Sequence, residues 1–322
     1  MSPRRRRTEG GPEGVLVVDK PAGMTSHDVV DRVRRLAGTT RVGHTGTLDP
    51  AATGVLVCCL GRATRLAAPL QAGTKLYAAV VHLGVTTDSD DLDGEVRTRT
   101  SAAHLDETTV CGSLGAFRGE QLQVPPMVSA VRVGGERLHE IARRGEEVER
   151  APRRVRIDDL VLDRFTPGET AEVSLLVGCS AGTYIRSLAR DLGEALGTGG
   201  ALASLRRLAN GPFLAEDAVP LAALEADPSL LAARLLAVED AVRAALPVVA
   251  VDATTAGRMA TGSTPERTGL PAPAAVTAYL HDGRLIAVHG PGRDGAAVRL
   301  VWAQPGGAAV TPSSGDPTDP AA

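Results

Sequence analysis

The sequence predicts an α+β fold: a mixed, largely antiparallel sheet flanked by helices, with a small β domain after it. Three observations point there. Short apolar runs and amphipathic segments are mixed without strict βαβ alternation. No GxGxxG follows a strand and no GxxxxGK[ST] occurs, so the nucleotide-binding signatures of parallel α/β folds are missing. Residues 248–304 change character, alternating short Val-rich runs with Gly and Pro. A chain of 322 residues allows about two domains.

Residues 1–12 are rich in Arg, Gly and Pro and are expected to form a disordered basic tail. GVLVV at 14–18 reads as a strand and Pro21-Ala22-Gly23 as a turn. Thr25 or Ser26 caps a helix in which Val29, Val30, Val33, Leu36 and Ala37 share a face, and Gly38 stops it. Residues 39–54 are polar, Gly-rich and aperiodic, which predicts a loop. A buried strand follows at 55–60, a short helix at 63–71 and a strand at 75–83; TTDSDDLDG at 86–94 is an acidic turn. Helices are expected at 105–117 and 136–145, strands near 154–165 and 171–179, and a helix at 183–196. Residues 220–245 are Ala- and Leu-rich and helical, and Pro247 ends that pattern. The expected organisation is a tail at 1–12, a main domain at 13–246, a small β domain at 247–304 and a disordered tail at 305–322.

Composition narrows the function classes. With 35 basic and 38 acidic side chains the net charge is −3, which excludes a uniformly basic chain but allows a basic face. Hydrophobic residues make up 43%, too many for a disordered chain. Four cysteines are too few for a disulfide scaffold, and neither a CxxC nor a Cys/His cluster with zinc spacing occurs. Three Tyr, three Phe and one Trp disfavour any mechanism needing a broad stacking surface. Lys20 and Lys75 are the two lysines among 35 basic residues, so each is a stronger functional candidate than usual. Arg4 to Arg7 are followed by a short apolar run at 15–18, against the roughly 7–15 residues a signal peptide needs. No run approaches the roughly 18 apolar residues of a membrane span. The cytoplasm is the expected compartment.

Four constellations carry chemistry. Residues 41–50 concentrate Arg41, His44, Thr45, Thr47 and Asp49, with Gly43 and Gly46 between them. This reads as a functional loop, or as a polar turn closed by Asp49. A phosphate cradle lacks its Lys, and His–Asp hydrolysis lacks a marked Ser or Cys. Gly182 to Arg186 lie at a strand-to-helix turn. Tyr184 and Arg186, two positions apart, project differently, one toward the core and one toward a polar cleft; the bland version is a core Tyr184 and a surface Arg186. Lys75 and Tyr77 share one face of a strand, or form an exposed pair on an edge. Residues 132–156 hold eight Arg against five Glu, Arg206 and Arg207 add two more, and acids gather at 86–95 and 216–240. That segregation fits a polyanion footprint or a solvated mixed-charge face.

Together these residues resemble the bacterial tRNA pseudouridine-55 synthase family, the TruB type. Asp19-Lys20-Pro21-Ala22-Gly23-Met24-Thr25-Ser26 resembles its N-terminal motif, and Gly43-His44-Thr45-Gly46-Thr47-Leu48-Asp49-Pro50 its catalytic loop. Lys75-Leu76-Tyr77, Gly182-Thr183-Tyr184-Ile185-Arg186 and Leu205-Arg206-Arg207 resemble three later motifs, in order over residues 14–212. The C-terminal β region is similar to the family's PUA-like domain. Val128 stands where an aromatic residue is common, and His139 where a Tyr is usual.

The resemblance implies an isomerase that needs no cofactor, acts on the T arm of tRNA as a monomer, and requires neither a protein partner nor a membrane. Asp49 is then the nucleophile or essential base, kept ionised by a charge-assisted pair with Arg186. Tyr77 stacks on the uracil and takes part in proton transfer at C5. Tyr184 and Leu205 wall the pocket, and Thr47 and Arg206 fall within substrate-binding motifs. Lys20 supports the loop or meets a substrate phosphate. His44 occupies the space left by the flipped uridine. The rival readings are a non-catalytic RNA-folding module using the same site, and a glycosidase, for which a second carboxylate is missing unless Asp90 or Asp93 folds back.

Overall fold

The computed structural model describes residues 11–129, 132–133, 135–138, 144, 146, 148–291 and 297–302. The expected tails at 1–12 and 305–322 lie wholly or almost wholly outside these residues, as do most of the expected helix at 136–145 and His139. The chain forms two compact units, divided after Ala237.

In the first unit the strands are β1 (Gly14–Lys20), β2 (Val42–His44), β3 (Thr53–Leu60), β4 (Lys75–Leu83), β5 (Val85–Thr87), β6 (Val96–Arg99), β7 (Gly119–Gln123), β8 (Arg132–Val133), β9 (Glu136–Arg137), β10 (Arg153–Thr166), β11 (Ala171–Cys179), β12 (Gly200–Asn210), β13 (Phe213–Leu214) and β14 (Val219–Pro220). Its helices are α1 (Ser26–Leu36), α2 (Ala67–Gln71), α3 (Glu107–Ser113), α4 (Ile185–Ala195), α5 (Leu221–Ala226) and α6 (Ser229–Arg234). The main sheet runs β14-β1-β3-β12-β4-β11-β10-β7. All neighbours are antiparallel except β14–β1 and β3–β12. The expected mixed, largely antiparallel sheet is therefore present.

Local chemistry accounts for the elements that frame the site. Thr25 caps α1 through a reciprocal pair with Asp28, and Val29, Val30 and Val33 are its buried face. In β4 the period-two pattern buries Lys75, Tyr77, Ala79, Val81 and Leu83. Lys75 and Tyr77 do share a face, but β4 lies between β12 and β11, so the exposed-edge reading is wrong. One core joins Tyr77, Ala79, Val81 and Leu83 to Leu48 of the Gly-rich loop and to Ile185, Leu188 and Leu192 of α4. A second core joins β1 and β3 to α1 and α5.

Several elements differ from the sequence reading. The loop expected at 39–54 contains β2, which pairs with β3. Beyond the acidic turn lies β6, a strand whose residues are all exposed and so carry no apolar period. Helix 105–117 is α3 followed by a 3-10 turn, Leu114–Phe117. The central strand β12 is a further element that the sequence reading does not predict.

The second unit holds α7 (Val238–Ala245), β15 (Val248–Ala250), α8 (Ala253–Ala260), β16 (Thr277–His281), β17 (Arg284–Pro291) and β18 (Ala297–Val301). Its four strands form one sheet in sequence order, around a small core of Met259, Tyr279 and Ala287. Helix α7 clusters with this unit, which therefore begins nine residues before the expected 247. Among the described residues no helix is long and apolar enough to cross a membrane.

Candidate active site

The loop between β2 and β3 carries Asp49. The N-terminal segment braces it from below. Lys20 Nζ donates to the Pro50 carbonyl at 3.0 Å and to the Pro21 carbonyl at 2.9 Å. The Gly23 amide donates to the Pro50 carbonyl at 2.9 Å. The Ser26 hydroxyl accepts from the Leu48 amide at 2.8 Å and donates to the Leu48 carbonyl at 3.0 Å. Lys20 is wholly buried, and that burial pushes its pKa down to about 8, against the pull of Asp49 and Asp28. Of the two roles expected for Lys20, the bonds to the Pro21 and Pro50 carbonyls fit the bracing one.

Arg207 braces the loop from the sheet. Its side chain is 1% exposed. Nε donates to the Val55 carbonyl at 2.6 Å, and the two Nη atoms to Thr47 at 3.3 Å and Gly46 at 3.1 Å. The approach is close enough to require glycine at 54: φ there is +98°, and a Cβ would meet the Arg207 carbonyl oxygen at 2.2 Å.

Above the loop stands Arg186, on the first turn of α4. It is 4% exposed, whereas the Asp49 side chain is 42% exposed. Nε donates to Asp49 Oδ2 at 3.0 Å, Nη1 to the Ser89 carbonyl at 3.0 Å and Nη2 to the Val128 carbonyl at 2.8 Å. A guanidinium so committed has a fixed plane, which fixes the carboxylate it faces. A second carboxylate is present: Asp91 Oδ2 lies 3.5 Å from the same Nε. Asp91 accepts from the Ser89 hydroxyl at 2.5 Å, and burial raises its pKa despite that bond and Arg186.

Tyr77 forms the floor. It lies directly across the strand pair from Arg207, with Leu205 two residues along on the same face, opposite Ala79. Burial raises the pKa of the phenol, and the adjacent Arg207 guanidinium opposes that rise. His44 Nδ1 accepts from the Gly46 amide at 3.2 Å, and burial, Arg207 and His27 all lower its pKa. The lowered pKa favours the neutral imidazole, and the bond accepted at Nδ1 fits the tautomer with its proton on Nε2. Among the described residues no group of three or more His, Cys, Asp or Glu could hold a metal ion.

The site thus pairs a part-exposed carboxylate, Asp49, with a buried arginine, Arg186, beside a buried tyrosine, Tyr77. Residues 34–185 match the TruB family pseudouridylate synthase (N terminal domain), and residues 186–243 the tRNA pseudouridylate synthase B C-terminal domain. The tRNA pseudouridine synthase B of Thermobifida fusca (strain YX) is 46% identical over 86% of this chain and 94% of its own. The chain belongs to the TruB family. The protein of that name from Gloeobacter violaceus is 54% identical over 66% of this chain and 73% of its own. Among solved structures, a chain of a Cbf5-Nop10-Gar1 complex superposes with a TM-score of 0.66 at 26% identity, covering 91% of this chain and 84% of that one.

The fold brings Asp49, Arg186, Tyr77, Lys20, His44 and Leu205 around one place, and the remaining candidates differ. Tyr184 and Arg186 do project differently, but the arginine is the buried member and the tyrosine is half-buried. Thr47 is exposed, and its described contact is made by its carbonyl. Arg206, on the opposite face of β12 from Tyr77, spends its fork on Asp19, at 3.0 and 2.8 Å; Arg207 is the arginine that reaches the loop. Arg153, Arg154 and Arg156 are exposed on β10, and Arg156 pairs with Asp158 at 3.0 Å. The sequence gives no role to Asp91 or to Gln123, whose amide bonds Tyr184, and presents Arg207 only within a motif and a basic cluster. The carboxylate expected to fold back is Asp90 or Asp93, but the one beside Arg186 is Asp91, while Asp90 pairs with Arg190. It is the turn's pairing with β12, through Asp91 and Leu202, that selects Asp91.

Proposed function

We propose that this protein isomerises the T-loop uridine of tRNA, position 55, to pseudouridine, with Asp49 as its essential carboxylate. The observation that carries this reading is the Arg186–Asp49 pair: a buried guanidinium, held by two backbone carbonyls, presents a carboxylate that is itself open to solvent. The reaction breaks the C1′–N1 bond of the uridine, turns the base and joins C1′ to C5. N1 takes up a proton and C5 gives one up, so no energy source is consumed. Asp49 serves the step that frees the base. Tyr77 stacks on the uracil and takes part in proton transfer at C5, and Leu205 and Tyr184 close the pocket. Neutral His44 suits a wedge that fills the space left by the flipped uridine, since filling a stack needs bulk and no charge.

The first unit carries the chemistry in this reading, and the second is a PUA-like appendage that contacts RNA. Recognition rests on shape and phosphate contacts, for which Arg153, Arg154 and Arg156 are exposed. A pure RNA-folding module has no use for a buried arginine committed to an open carboxylate.

Tritium release from tRNA labelled at uridine C5 tests the reading directly, because the reaction must expel that hydrogen. Wild type releases about one label per tRNA, and Asp49→Ala releases none while binding tRNA within a few fold. Release by Asp49→Ala, or bound tRNA with no release by wild type, would refute it.

A further inference from the structure

Helix α4 opens with an anomaly. Its N-cap is Tyr184, which makes no side-chain capping bond. Helices usually begin with Ser, Thr, Asp or Asn, whose short side chains bond the exposed amides of the first turn. Here the polar partner comes from elsewhere in the chain. Gln123, the last residue of β7 and 3% exposed, accepts from the Tyr184 amide at 2.8 Å through Oε1 and donates to the Tyr184 carbonyl at 3.1 Å through Nε2. Both ends of its amide are used, so the side chain has one orientation.

The residues after Gln123 continue the contact. The Val124 carbonyl accepts from the Ser187 hydroxyl at 2.9 Å and from Arg190 Nη2 at 3.1 Å. The Val128 carbonyl accepts from Arg186 Nη2 at 2.8 Å. Residues 123–128 thus splint the first turn of α4, the turn that carries Arg186. The splint is anchored at its start, because β7 pairs with β10 and Gln123 lies opposite Arg153.

We infer that Gln123 is a positioning residue for the isomerisation: its amide sets Tyr184 and the start of α4, and through them the plane of Arg186 and the aim of Asp49. The inference rests on the reading of Asp49 and Arg186 as the catalytic pair. A misplacement of about 1 Å at a reacting group can cost on the order of 100-fold in rate, so the effect belongs in the chemical step and not in RNA affinity.

The test measures single-turnover pseudouridine formation and tRNA binding for wild type, Gln123→Leu and Gln123→Glu, with Asp49→Asn alongside and thermal melting of each protein. Gln123→Leu keeps the volume and loses both bonds. Its rate constant is expected to fall about 10- to 100-fold while the tRNA Kd stays within about twofold. Gln123→Glu has a second signature. A protonated carboxyl reproduces the donor and acceptor of the amide, whereas the carboxylate turns an acceptor toward the Tyr184 carbonyl. Burial raises the pKa of such a group, so its rate should recover toward wild type as pH falls from 8 to 6.

A folded Gln123→Leu protein with the wild-type rate overturns the inference. So does a loss confined to Kd with the saturating rate unchanged. Where the Leu variant fails to fold, Gln123→Glu decides: a rate that parallels wild type at every pH overturns the inference. Full turnover by Asp49→Asn would be a different failure, removing the catalytic pair itself.

Discussion

Asp49 and Asp91 share one nitrogen atom: Nε of Arg186 lies 3.0 Å from Oδ2 of the first and 3.5 Å from Oδ2 of the second. The two carboxylates differ in exposure, 42% against 20%. In the proposed reaction the more open Asp49 meets substrate, and the recessed Asp91 balances the buried guanidinium from behind.

Replacing Arg186 by Lys keeps the charge and loses the fork. One ammonium cannot reach Asp49, the Ser89 carbonyl and the Val128 carbonyl together, and the carbonyls left unpaired cost about 1–3 kcal/mol. Arg186→Lys is expected to lower the single-turnover rate about 100-fold, with a lower melting temperature. A wild-type rate in rapid-mixing experiments would contradict this.

Asp91→Asn separates the balancing charge from the site's shape. Burial raises the pKa of Asp91, so folding favours its protonated form. Its contribution to stability is therefore full below the unfolded pKa and is lost as pH rises through the folded one. Near neutral pH the neutral Asn should melt no lower than wild type, yet turn over about 10-fold more slowly because Arg186 is less restrained. Melting curves and single-turnover rates on the same sample check both halves; unchanged turnover counts against a balancing role.

The two adjacent arginines of β12 should behave differently. Arg207 is buried and holds two loop carbonyls and the Val55 carbonyl of β3, whereas Arg206 forms a half-exposed pair with Asp19. Arg207→Lys should cost about 2–3 kcal/mol in chemical denaturation and most of the activity. Arg206→Lys should cost about 1 kcal/mol or less and retain turnover. Equal losses from both would show that the loop does not depend on Arg207.

Lys20 gives a stability signature with pH. Its folded pKa of about 8 lies below the ordinary 10.5. Between those values the unfolded chain binds more protons than the folded one, so the Lys20 contribution makes stability rise with pH. Comparing wild type with Lys20→Met isolates it from groups that titrate alongside. Wild type should gain about 2 kcal/mol on the variant between pH 7 and 10, after allowance for solvent screening. A constant difference would mean that Lys20 titrates normally in the folded protein.

The sequence by itself determined the local elements whose periods are unmixed. Strand β4 and strand β11 carry a clean alternation, and α1 carries a cap and one apolar face. It also pointed to Asp49, Tyr77 and Arg186 as candidates, because each lies inside a contiguous motif. Tertiary structure decided the rest. GALASLRRLAN has the Ala, Leu and Arg of a helix, yet pairing with β4 and β3 on its two edges makes it the central strand β12. That pairing, with its bulges, turns Arg207 toward the site and Arg206 away. Asp91 reaches Arg186 because its turn pairs with β12, and Gln123 caps a helix 61 residues later in the chain. Such partners carry no spacing rule: a hydrogen bond between distant segments depends on where the sheet places two backbones, which no local pattern of residues encodes.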